Sequence, residues 1–139
     1  PKLKLISIDK RFGSQLLVAE NAKKLGVSPN KIIESDVKQF INNDLENIFS
    51  DFNRVIIGGC DKETKIKIIE EFSKFLEKGD IIVLPIITYE VLQKVSNCLR
   101  EFNYETSINL IQTFKGITIS EGTRFEPNNP VFILKAKKK

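Results

Sequence analysis

Two aspartates and a pair of glycines occupy comparable places in this sequence. Asp9 closes the apolar run Leu5-Ile-Ser-Ile8, Asp36 lies just past Lys31-Ile-Ile-Glu34, and Gly58-Gly59 follow Arg54-Val-Ile-Ile57. A short apolar run ending in an acid or in glycine reads as a strand whose carboxyl end presents a polar group or bare backbone. In a parallel sheet all three fall on one rim, where open α/β sheets bind ligands. A carboxylate there can accept both hydroxyls of a ribose through its paired oxygens, and a second one after the neighbouring strand can accept an exocyclic amine. The glycines let the backbone approach a ligand with no Cβ in the way. The plainer alternatives are that each aspartate caps the following helix and that the glycines form a strand-to-helix turn. Their shared position favours the ligand.

Composition limits the remaining chemistry. Histidine is absent, which removes the usual general base, the commonest zinc ligand and every histidine-dependent triad. Cys60 and Cys98 are isolated and suggest neither a disulfide framework nor a metal site. Catalysis must therefore use carboxylates, lysines, hydroxyls or a reactive cofactor. The net charge of +4 owes much to Lys135-Ala-Lys-Lys-Lys139, read as a solvated, frayed end. Without a basic surface interleaved with stacking aromatics, nucleic acid is an unlikely partner, and the ten phenylalanines sit at core-like spacings. A chain of 139 residues, 41% hydrophobic and 29% charged, suits a single globular domain. No apolar run nears the roughly 18 residues that cross a bilayer, so the expected location is cytoplasmic, with no membrane partner.

The elements that position these groups follow from periodicity. Leu3 to Asp9 and Lys31 to Glu34 read as strands, and between them Val18, Ala22 and Leu25 recur at helical spacing from Ser14, with Gly26 as the stop. Between Val37 and Asn53 short helical pieces supply Phe40, Ile41, Leu45, Ile48 and Phe49 to cover the sheet. Val55-Ile-Ile57 reads as a strand buried on both faces. A helix capped by Asp61 runs to Lys78, with Ile66, Ile69, Phe72 and Leu76 inward and Glu63/Lys67 and Glu70/Lys74 paired outside. Asp80 to Leu84 is a strand broken at Pro85, and a helix spans about Thr88 to Phe102. Four strand–helix alternations argue for a parallel sheet covered on both faces. Thr106 to Phe114 and Val131 to Leu134, joined by the polar stretch Lys115 to Asn129, form an antiparallel pair at its edge.

The strand ending Ile-Asp-Lys10, the helix with Glu-Asn-Ala-Lys-Lys24, then Gly-Val27 and Ile-Ile-Glu-Ser-Asp36 resemble the nucleotide site of S-adenosylmethionine-dependent methyltransferases. Arg54-Val-Ile-Ile-Gly-Gly59 and Thr123-Arg-Phe-Glu-Pro-Asn-Asn-Pro-Val-Phe-Ile-Leu134 resemble, within them, the cobalt-precorrin-6B C15-methyltransferase (decarboxylating) or precorrin-8W decarboxylase family. That resemblance implies a Rossmann-like methyltransferase sheet and S-adenosylmethionine as cofactor. It puts Asp9 with Lys10 at the ribose, Asp36 with Val37 at the adenine, and Gly58 and Gly59 under the amino-acid end. It further implies Glu90 facing the substrate cleft and Lys115-Gly116 meeting the carboxylates of a corrinoid precursor, although Glu90 also suits a helix's first turn and Lys115 a solvated surface. The family assembles as tetramers, so a homo-oligomer is expected, covering the apolar edge strands. The family's first strand and glycine-rich loop have no counterpart before Leu3. A working protein with roughly 50 further upstream residues is therefore expected, unless the strands ending at Asp9 and Gly58 pair directly or accept a strand from another chain. The competing functions are a non-catalytic or partial methyltransferase-fold subunit, and an RNA or protein methyltransferase.

Overall fold

A computed structural model describes residues 4–41, 45, 49 and 51–139, which form two compact units, 1–52 and 53–139. In the first, β1 (Ile6–Asp9) and β2 (Lys31–Glu34) pair in parallel from Ile6↔Lys31 to Asp9↔Glu34. Parallel neighbours need a crossover, and α1 (Ser14–Lys24) supplies it. Left-handed glycines bracket this helix, Gly13 at φ 79° before it and Gly26 at φ 66° after it. Asn30 pins the start of β1, donating its N–H to the Leu5 carbonyl and accepting the Leu5 N–H on Oδ1, both at 2.8 Å. The short helix α2 (Lys38–Ile41) follows. Ala22, Ile41, Leu45 and Phe49 are buried, and the Phe49 and Phe52 rings meet edge to face at 6.2 Å.

The second unit carries β3 (Arg54–Ile56), α3 (Lys62–Phe72), β4 (Ile81–Ile86), α4 (Tyr89–Glu101), β5 (Tyr104–Ile111), β6 (Phe114–Ile119), β7 (Gly122–Pro127) and β8 (Val131–Lys138). Its main sheet runs β3-β4-β8-β5, and β6 and β7 form a separate hairpin. β3 and β4 are parallel, whereas β8 lies antiparallel to both β4 and β5. Alternate residues Ile82, Leu84 and Ile86 of β4 are buried, as are Leu92, Val95 and Leu99 at one-turn spacing on α4. Asp61 caps α3, accepting the Thr64 N–H at 2.8 Å.

The α/β alternation matches the sequence pattern, and the final strands pair antiparallel as expected, although β8 inserts between β4 and β5 so that of these two final strands β5 alone lies at the sheet's edge. Five local expectations are corrected. Ile56 is 79% exposed, because strand alternation puts the half-buried Val55 and the buried Ile57 on one face and leaves Ile56 on the other. β4 continues through Pro85, which lies beyond the last rung to β3, Ile56↔Val83, where a missing N–H deprives no ladder on that side. Helix α3 stops at Phe72, six residues early, as Ser73 to Phe75 tighten into a turn. Lys74 pairs with Glu71 and Glu63 with Lys62, instead of the expected one-turn partners. The basic C-terminus is not frayed: Lys135, Lys137 and Lys138 are rungs of β8. Leu3 and Ile48 lie outside the described residues.

Candidate functional site

In the first unit the parallel register brings Asp9 and Glu34 side by side at the carboxyl ends of β1 and β2. The Asp9 main chain is clamped: its carbonyl accepts the Ser35 N–H at 3.0 Å and the Ser14 hydroxyl at 3.2 Å. Its carboxylate is held by Arg11, whose Nε donates to both oxygens at 3.0 Å, whose Nη2 donates to Oδ2 at 2.5 Å and whose backbone N–H donates to Oδ1 at 2.9 Å. The Arg11 guanidinium pulls the Asp9 carboxyl down to about 2, so it is fully ionised at neutral pH. Lys10 is exposed beside it.

Asp36 turns its carboxylate inward along its own chain, where Oδ1 accepts the Lys38 N–H at 3.0 Å at the entry to α2. This is the capping role of the plainer alternative, and it leaves Oδ2 and the half-buried Val37 beside it. Glu34, which no motif singled out, caps α1 by accepting the Gln15 N–H at 3.1 Å. The first unit thus brings Asp9, Lys10, Asp36 and Val37 to one end of a two-stranded parallel sheet.

In the second unit Ile57 extends the ladder beyond β3, its N–H donating to the Val83 carbonyl at 2.9 Å. Gly58 packs with its Cα side toward Pro85, since an added Cβ would stand 3.8 Å from Pro85 Cγ. Gly59 is left-handed at φ 65°, and an added Cβ there would meet nothing within 4 Å, so the turn presents open backbone. Behind it, Lys65 is buried to 7% exposure, and its Nζ donates to the Cys60 carbonyl and lies 3.8 Å from Cys60 Sγ. Burial pushes the Cys60 thiol up, so it is not a ready nucleophile. Sequence reading passed over Lys65, although its position four residues after the capping Asp61 signals a side chain able to reach back past the helix start.

Glu90 is exposed in the first turn of α4, past the end of β4. The register pairs Ile86↔Phe132 and Ile111↔Val131 place the base of the β6–β7 hairpin at that same end of the sheet. Gly58, Gly59, Glu90 and the hairpin bearing Lys115 and Gly116 therefore share the carboxyl-end side of this unit. Gly116 is bare because Phe125 and Thr123 cross it: an added Cβ would stand 3.2 Å from Thr123 Cγ2. Lys115 lies opposite Glu126, which is ion-paired with Arg124. No group of histidine, cysteine or acidic side chains among the described residues can hold a metal.

No family model matches the chain. It is 26% identical over 137 residues to the probable cobalt-precorrin-6B C(15)-methyltransferase (decarboxylating) of Sulfurisphaera tokodaii, covering 99% of this chain and 68% of the relative. The similarly named protein of Methanobrevibacter smithii is 27% identical over 138 residues, covering 98% of this chain and 70% of the relative. Among solved structures, the precorrin-6y C5,15-methyltransferase of Geobacter metallireducens superposes with a TM-score of 0.77 at 23% identity, over 97% of this chain and 68% of that one. Precorrin 8W decarboxylase of Methanobacterium thermoautotrophicum gives a TM-score of 0.78 at 20% identity, over 95% and 68%. These likenesses establish the fold as the Rossmann-like methyltransferase α/β fold, and the family resemblance carried by the sequence motifs extends, in the curated relatives, over nearly the whole chain.

Proposed function

We propose that this chain is an S-adenosylmethionine-dependent C-methyltransferase that acts on a ring carbon of a corrin precursor, with loss of carbon dioxide from an acetate side chain, in cobalamin biosynthesis. The observation that carries the reading is the match, over nearly the whole of this chain and 68–70% of each relative, to two proteins named for C(15) methylation with decarboxylation. The residues suit the cofactor. Asp9 is an ionised acceptor for two ribose hydroxyls with Lys10 adjoining, Asp36 takes the adenine edge with Val37 packing nearby, and the open Gly58-Gly59 backbone lies under the amino-acid end.

The bound sulfonium supplies an electrophilic methyl group, and the protein's part is alignment, which a chain without histidine can provide. Glu90, in the first turn of α4, faces the substrate. Lys115 with Gly116, on the hairpin, meets the substrate's carboxylates. The substrate's conjugated ring can absorb the electron pair released on decarboxylation, which asks little of the chain. No described helix is long and apolar enough to cross a membrane. The chain assembles as a homo-oligomer, a tetramer by resemblance, because Ile108, Leu110 and Ile111 on β5 and Phe114, Ile119 and Phe125 on the hairpin are exposed large apolar side chains. Sedimentation at micromolar concentration then shows a species larger than a monomer.

The test of the reaction is incubation with S-adenosylmethionine and the corrin precursor, followed by mass spectrometry. A product that has gained one methyl group and lost one carbon dioxide is expected. Transfer to RNA or protein alone overturns the reading.

A further inference from the structure

A buried ammonium beside a glycine turn needs a reason. Lys65 lies in the opening turns of α3, yet its side chain runs back toward the helix's amino end, where the backbone dipole disfavours a cation. Its burial adds a desolvation cost, and the protein partners it meets are the carbonyl and thiol of one residue, Cys60. A free lysine would snorkel to water, so the arrangement is held for the sake of the turn it touches. That turn is tightly determined. Asp61 accepts from Thr64 N and from Thr64 Oγ1, both at 2.8 Å, and the Lys65 N–H donates to the Asp61 carbonyl at 3.0 Å. The part without side chains is Gly58-Gly59, and Lys65 grips the carbonyl immediately after it.

We infer that Lys65 is a positioning residue for the cofactor: by holding the Cys60 carbonyl it sets the Gly58–Cys60 turn against the amino-acid end of the bound molecule. Its positive charge beneath the turn also favours a ligand whose amino-acid end carries a carboxylate. The inference rests on the cofactor assigned above and adds to it a residue that contributes without touching the reacting atoms.

Two ligands separate this role from a merely structural one. S-adenosylhomocysteine carries the amino-acid end, and 5′-methylthioadenosine shares the nucleoside but lacks that end. Isothermal titration of the full chain should show Lys65→Met binding S-adenosylhomocysteine about ten-fold or more weakly, with methylthioadenosine affinity within about two-fold of the parent. Lys65→Gln, which keeps a donor of shorter reach, serves if the methionine variant does not fold, and the same split is expected. In the unaltered chain, S-adenosylhomocysteine should slow alkylation of the half-buried Cys60, and methylthioadenosine should not. Equal weakening of both ligands, or no change in either, overturns the positioning role. Failure of the unaltered chain to bind either ligand instead overturns the cofactor assignment itself, and the inference falls with it.

Discussion

The two strand-end turns of this protein are built on opposite terms. At Asp9 the organising interaction is an ion pair at the surface, with Arg11 largely in solvent. At Gly58–Cys60 it is a buried lysine behind bare backbone, next to a helix whose Ile69 is completely inaccessible. The surroundings differ in the same sense. In the first unit α1 buries only Ser14 and Ala22, and neither completely, whereas the second unit has Ile82, Leu84, Val95, Leu99, Leu134 and Ala136 all near 0% exposure. A turn held by surface charge can be remade by a ligand with little consequence for folding. A turn set in a packed core couples what it binds to what keeps the unit folded.

The largest effect should therefore come from the second unit's core. Leu99→Ala removes a fully buried side chain and is expected to cost about 2–5 kcal/mol. Ile56→Ala, two residues before the glycine turn, removes a side chain already in water and should stay within about 0.5 kcal/mol. Chemical denaturation of both variants checks the contrast. A large loss for Ile56→Ala would mean that this sheet face is covered in the working protein.

That contrast also marks where sequence was legible. Lys31–Glu34 has the expected bounds and the helix from Ser14 ends at Lys24, one residue short of the expected Leu25 and with Gly13 in the N-cap place, because turn residues punctuate them: Gly13 and Gly26 around the helix and Ser28-Pro29-Asn30 before the strand. Ile56 was misjudged because a three-residue apolar run looks the same whether one face or two is covered. The β6–β7 hairpin was invisible for a related reason. Exposed on nearly every residue, it shows polar groups on both sides, and its bare Gly116 is explained only by the Phe125 and Thr123 side chains across the ladder. Lys138 reads as one more tail lysine, yet it donates to the carbonyls of Ser73 at 3.3 Å and Phe102 at 2.9 Å and lies 4.7 Å from the Tyr104 ring centre. It thus ties together the ends of two helices that are 29 positions apart in sequence, from Ser73 to Phe102, a function no local pattern encodes. The strand-end placement of Asp9, Asp36, Gly58 and Gly59 was legible because strand ends are legible, whereas Arg11, Glu34 and Lys65 act through partners that only folding brings near.

At the first unit's turn, Asp9→Ala should separate binding from folding. Loss of a charge-assisted acceptor for the ribose lowers affinity for the adenosyl cofactor roughly ten-fold or more, while the melting temperature moves little. An unchanged dissociation constant would remove Asp9 from the site. At the second unit's turn the corresponding carboxylate, Asp61, is structural. Asp61→Ala strips α3 of its cap and should cost about 0.5–2 kcal/mol, visible in the melt and in any ligand affinity measured near it.

The smallest effect should follow Arg11→Ala, and it is the most informative about the surface turn. The guanidinium occupies both oxygens of Asp9, so a ribose must share or displace it. An exposed pair contributes little, so stability at neutral pH should hardly change and cofactor affinity should rise by only about two- to three-fold. The acid side reveals more. Arg11 lowers the folded-state carboxyl from 3.8 to about 2, below its value in the unfolded chain. A depressed carboxylate stabilises the fold fully above the unfolded value, and that contribution disappears as pH falls through about 2. Without the guanidinium the folded value rises toward 3.8, held below it by the backbone N–H of residue 11 that the variant keeps, and the window of added stability narrows. Asp9 then takes up a proton at a higher pH, so between about pH 4 and pH 3 the variant should lose cofactor affinity that the parent keeps. Affinity falling at neutral pH as far as in Asp9→Ala would make Arg11 a ligand contact in its own right and not a competitor for the carboxylate.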